Sequence, residues 1–241
     1  MLKHKFILSV AIAATFISVS VGSVFAKSTF KVRVENISNK DGLAAQDSSK
    51  YPFALSPGVF VVSSKKAEFF EEGKKASAAL ESQAEDGNPE LLAKMFPSIT
   101  DSVMTGIFNV PVSSGMLMEG VNMASPILPG AAFEFTFDAV EGMKLNMAMM
   151  YGQSNDLFYA PSKPINLFVG DKAVSGDITD KFLLWDAGTE VNQAPGLGSD
   201  QGPRQKGRNT GAAENGVVRL VKDGFSYPNT KEVLRITITA Q

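Results

Sequence analysis

The stretch Ala131-Ala132-Phe133-Glu134-Phe135-Thr136-Phe137-Asp138 decides the fold. Phenylalanine takes every second position, and Glu134, Thr136 and Asp138 take the places around it. Successive side chains of a strand point to opposite faces, so this spacing describes a strand with one apolar and one wet face. Residues 29–37 repeat the pattern, with Phe30, Val32 and Val34 set against Lys31, Arg33 and Glu35. Leu145, Met147 and Met149 repeat it again, and Glu141-Gly142 between the last two segments reads as a hairpin turn. Further short strands are expected at 59–62, 105–112, 181–185, 216–221 and 232–239. Many short strands separated by turn residues specify an all-β protein, an antiparallel β-sandwich.

One stretch breaks the pattern. Residues 66–95 read as a short helical insert. Lys66 to Glu72 has room for a turn or two, and Ala76, Ala79, Leu80 and Ala84 share a helical face that Gly87 would end. Asn88-Pro89 then reads as a cap and first residue of a short helix through Met95. Residues 192–215 carry five glycines and two prolines, too many for an ordinary connection, and are expected to be mobile. Their basic residues, Arg204, Lys206 and Arg208, read as solvated charge.

The chain has 241 residues, 44% of them hydrophobic and 20% charged, enough to bury one core. Lys3, His4 and Lys5, an apolar run over 6–21 and the small-residue site Val24-Phe25-Ala26 form a secretory signal peptide, residues 1–26. That leaves a single domain, 27–241, for secretion or the periplasm of a bacterial envelope. Its removal takes the net charge from −2 to −4 and removes the only histidine; the chain has no cysteine. Disulfides, thiol nucleophiles, imidazole bases and His- or Cys-held metals are thereby excluded. The acidic balance also argues against nucleic acid as a partner. The methionines near residues 143–150 read as adaptable core filling rather than a copper site. Trp185 and Tyr151 read as buried against the sandwich edge.

What chemistry remains lies with carboxylates. Asp156 follows one strand, Asp186 follows another, and Glu134 stands on the wet face of a third. Carboxylates converging at a sandwich rim repel one another unless a hard cation, Ca²⁺ before Mg²⁺, neutralises them. The same acids also admit a carboxylate-dependent secreted hydrolase acting on glycans. Against that alternative, a bound cation makes a carboxylate a poor general acid.

An ordered set of motifs resembles the spondin-N domain family. It comprises Phe69-Phe70-Glu71-Glu72-Gly73, Ala76-Ser77, Leu80 with Ala84-Glu85-Asp86-Gly87-Asn88-Pro89, Pro129-Gly130, Ser154-Asn155-Asp156-Leu157-Phe158, Asp186-Ala187-Gly188-Thr189-Glu190-Val191-Asn192, and the closing Leu234-Arg235-Ile236-Thr237-Ile238. The resemblance implies a sandwich similar to C2 domains. It also implies one Ca²⁺ held by Glu134, Asp156 and Asp186, and a non-catalytic adhesion or binding role. The expected partner is an envelope or extracellular protein or glycan, and no membrane segment is expected after signal cleavage. Animal members of the family carry cysteines and thrombospondin repeats, which this chain lacks.

Overall fold

The computed structural model describes residues 26–98, 102–113, 116–117 and 123–241. The signal read at 1–26 lies outside them apart from Ala26. Eight principal strands follow in chain order: β1 (Lys27–Asn36), β2 (Leu55–Ser63), β3 (Val103–Phe108), β4 (Ala132–Val140), β5 (Lys144–Tyr151), β6 (Leu157–Pro161), β7 (Phe182–Asp186) and β8 (Leu234–Ala240). Two helices, α1 (Ala78–Asp86) and α2 (Glu90–Met95), lie between β2 and β3.

Every pairing is antiparallel, and the strands form two large sheets packed as a sandwich. In the first sheet β1 lies between β8 and β4, so Val34 faces Ile236 on one side and Phe133 on the other. In the second the order is β7-β6-β5-β2-β3. The core between them takes Phe30, Val32, Phe133 and Ile236 from the first sheet, and Phe60, Leu145, Met147 and Tyr159 from the second. Phe135 is half-buried and stacks on Phe60 and Phe108, with ring centroids 4.3 and 5.0 Å away.

The two sheets meet different surroundings, and their sequences differ accordingly. The outer face of the first sheet is wet, and Lys31, Arg33 and Glu35 alternate cleanly with apolar residues. The second sheet is covered on its outer face by the helices. Val59, Val61, Ala148, Phe158 and Trp185 pack there against Leu80, Ala84 and Leu92. A sheet buried on both faces gives near-continuous apolar runs, and β2 and β5 read that way. Met147 and Met149 fill the core, and Trp185 is buried with its Nε1 donating to the Ala160 carbonyl at 3.0 Å.

Two local expectations change. Residues 66–72 form bends and turns rather than helix; α1 starts at Ala78 because the Ser77 hydroxyl accepts from the Leu80 amide at 3.2 Å and caps it. Gly87 ends the helix in a left-handed conformation, as its position suggested. Glu141-Gly142 is not a hairpin. It carries the chain from β4 in one sheet to β5 in the other, so the strands it joins do not pair.

Candidate metal centre

The sheet order places the starts of β6 and the end of β7 side by side at one rim, with Leu157 opposite Asp186. Asp156, one residue before β6, and Asp186, the last of β7, therefore emerge together. Neither has measurable exposure.

The Asp186-Ala187-Gly188-Thr189-Glu190 turn folds around these carboxylates through its own amides. Gly188 donates to Asp186 Oδ1 at 2.7 Å. Thr189 and Glu190 donate to Asp156 Oδ2 at 2.7 and 3.1 Å, and the Thr189 hydroxyl adds a third bond at 3.1 Å. Gly188 sits at φ +70°, and a Cβ there would lie 2.6 Å from the Val217 amide nitrogen, so only glycine fits. The companion motif acts from the other side. Asn155 accepts from the Gln193 amide at 3.0 Å and reaches Glu190 Oε2 at 3.3 Å.

A third acid arrives from residues 212–216. The Val191, Glu214 and Gly216 amides donate to the Ala212, Thr189 and Gly188 carbonyls respectively, a ladder that lays Glu214 against the turn. Carboxylate oxygens of Asp156, Asp186 and Glu214 lie within 4.8 Å of one another. Arg219 is the basic group among them, with one guanidinium nitrogen 2.7 Å from Asp186 Oδ2 and 2.6 Å from Glu214 Oε1. One cation faces three carboxylates, so the trio is under-compensated.

The electrostatics agree. Burial, then the neighbouring charge of Asp186, pushes the Asp156 carboxyl up to about 7 despite its amide donors. Burial likewise raises Asp186, against the pull of the Gly188 amide and Arg219. Three buried oxygens at this rim have no hydrogen-bond partner: Asp156 Oδ1, Glu214 Oε2 and Asn192 Oδ1. The Asn192 side chain is fixed beside them, its Nδ2 donating to Asp186 Oδ2 at 3.0 Å. Buried polar atoms almost always find partners, so orphaned oxygens converging with buried carboxylates mark a place for a cation. All the donors are oxygen, which suits a hard cation and no soft one. This cluster fits a metal ion of unassigned identity.

Of the three acids named from sequence, the structure brings Asp156 and Asp186 together and leaves Glu134 apart. Glu134 stands on the outer face of β4, opposite Arg33 in register, with Arg33 and Lys31 at 2.7 and 2.8 Å. Its charge is already matched by two cross-strand cations. Glu214 was missed, because a lone acid before Asn215-Gly216 carries no local signal. Asn192 closed a quoted motif, yet nothing gave it a role.

Part of the 192–215 segment packs against the sandwich. Gln201 is fully buried and donates to the Gln193 and Ala194 carbonyls. Arg204 bonds Gln153, Gly198 and Gln201. Several glycines here permit close packing, as Gly196 does against the Tyr51 ring. Comparison with protein-family models and with curated proteins gives no match.

Proposed function

We propose that the chain is a calcium-binding, non-catalytic binding module of spondin type, working in the periplasm or outside the cell. The observation that carries this reading is the cluster of Asp156, Asp186 and Glu214, the aspartates wholly buried and Glu214 partly, with Arg219 the one cation paired with them among the described residues. Asp156, Asp186 and Glu214 would hold the ion, with the Asn192 amide oxygen and backbone or water oxygens filling a shell of about six to eight ligands. Calcium is preferred over magnesium because a turn-built site does not easily enforce a tight octahedron. When bound, the ion would supply charge neutralisation and lock the 186–192 turn to the 212–219 segment, shaping the rim for a protein or glycan partner.

The spondin resemblance supports the same reading, since its strongest motif, Asp186-Ala187-Gly188-Thr189-Glu190, lies at this rim. A carboxylate hydrolase fits less well: both aspartates are wholly buried, and both Asp186 oxygens are taken by Gly188, Asn192 and Arg219. Unfolding followed in chelator, in Ca²⁺ and in Mg²⁺ tests the proposal. Millimolar Ca²⁺ should stabilise the fold by about 1–3 kcal/mol, and Mg²⁺ by less. Equal stability in all three, or glycan hydrolysis lost in Asp156→Asn, would oppose it.

A further inference from the structure

The first sheet closes one of its edges and leaves the other open. Outside β8 the Ile178 amide donates to the Ile236 carbonyl, and the Ile236 amide to the Thr179 hydroxyl, both at 2.8 Å. Gly176 pairs with Ile238, and Ser175 Oγ accepts from the Ala240 amide at 2.8 Å. The second sheet is treated alike. Residues 219–220 pair outside β7, and on β3 the Ser98 hydroxyl accepts from the Thr105 amide at 2.8 Å. Outside β4, among the described residues, Val112 pairs with Ala132 and no strand lies beside residues 134–140.

The register shows which groups are left free. The Asn36 amide donates to the Ala131 carbonyl and the Glu141 amide to the Ala26 carbonyl. Odd residues of β4 therefore turn their backbone groups to β1, and even residues turn theirs outward. Glu134, Thr136, Asp138 and Val140 face the opening. Proteins blunt such an edge with proline, lysine, a bulge or a very short strand. β4 has nine residues, none of them proline or lysine, and its register with β1 is unbroken. Its acids are already matched, Glu134 by Lys31 and Arg33, and Asp138 by Lys27. On the core side Phe133 and Phe137 are buried, whereas Phe135 between them stays half-buried.

We propose that this edge pairs with the same edge of a second copy of the chain, β4 against β4, about a twofold axis at Phe137. The free stretch then maps onto itself. Glu134 lies opposite the partner's Val140, and Thr136 opposite the partner's Asp138. Outward amides meet outward carbonyls, about eight hydrogen bonds in all. No acid faces an acid, and the Thr136 hydroxyl stands across from a carboxylate, a favourable cross-strand pair. On the core side large meets small, with Phe135 beside the partner's Ala139. The ends match too: the partner strand turns away through its Glu141-Gly142 before it reaches Val112. Other registers fail. An axis at Thr136 sets Glu134 against the partner's Asp138, and an axis at Phe135 drives that aspartate into the place Val112 holds beside Ala132. A stretch complementary to itself in hydrogen bonds, charge and side-chain size specifies a second copy as its occupant.

Sedimentation equilibrium of the 27–241 domain from micromolar to millimolar concentration tests this. A strand pair buries less than a standard interface of about 1,600 Å², so a reversible dimer is expected with a dissociation constant on the order of 10⁻⁵–10⁻⁴ M. The edge belongs to the other sheet from the calcium site, so chelator should leave the dimer intact. Thr136→Pro removes one outward amide from each chain, where an edge strand tolerates proline, and should weaken the dimer about tenfold or more. Thr136→Val, which keeps the amide, should not. Amide exchange in the wild type gives a reading free of any variant's folding: the Glu134, Thr136 and Asp138 amides should gain protection as concentration rises. A monomer throughout the range, a dimer that leaves those three amides unprotected, or a folded Thr136→Pro variant that dimerises like wild type would overturn the proposal.

Discussion

Asp156→Asn should make the protein more stable in chelator and less responsive to calcium. The carboxyl is pushed from its ordinary 3.8 up to about 7. At pH 7.5 holding it ionised in the fold therefore costs about 4 kcal/mol. Asparagine is the same shape without the charge. Its carbonyl can still accept from Thr189 and Glu190, and its amide replaces the orphaned Oδ1 beside Asp186. A neutral acceptor is weaker than a carboxylate, so a net gain of about 2 kcal/mol is expected, or about 4–8 °C for a domain of this size. In 1 mM Ca²⁺ the order changes. Wild type gains about 1–3 kcal/mol by mass action, and the variant, lacking one ligand charge, gains almost nothing. The two melting curves should converge or cross as calcium is added. A variant less stable than wild type in chelator, or one with the wild-type calcium shift, would refute the reasoning.

Other consequences follow from the same geometry. Glu214→Gln should weaken calcium binding about tenfold or more, having removed a ligand charge, while Glu134→Gln should leave it unchanged and cost at most about 1 kcal/mol for its surface pairs with Lys31 and Arg33; titration calorimetry of both separates them. Gly188→Ala should destabilise by about 2–3 kcal/mol, from the positive φ and the clash with Val217, and should abolish binding in the same titration. Glu85, on the buried face of α1, is raised to about 7 by burial first. Its protonated form suits the fold, so stability should fall as pH rises from about 4.5 to 7 and then level off. Glu85→Gln should flatten that fall by an amount on the order of 2 kcal/mol, read from urea unfolding in chelator across the range.

The sequence made the first sheet legible because its outer face is wet. Arg33 and Glu35 had to alternate with Val32 and Val34, and period two showed. The second sheet showed its register less plainly. α1 covers Ala148 and Phe158, so both faces of β5 are apolar, and only the spacing of Leu145, Met147 and Met149 marked its core face. Asp156 and Asp186 were readable as strand-end acids because the turns around them need specific residues, Ser154, Asn155 and Gly188. Glu134 looked equally available. Only the pairing of β4 with β1 reveals Arg33 opposite it, and pairing is a property of the fold rather than of either strand. Glu214 lies 28 residues beyond Asp186, and the ladder between 188–191 and 212–216 that unites them has no apolar alternation to announce it.

Equilibrium dialysis of the chelator-stripped domain against radioactive calcium tests the central claim most directly. The account predicts one ion per chain, with a dissociation constant on the order of 10⁻⁴ M or tighter, lost when Asp186 and Glu214 are both changed to their amides and kept when Glu134 is. No retained calcium at millimolar concentration, or retention undiminished in the Asp186→Asn, Glu214→Gln variant, would contradict it.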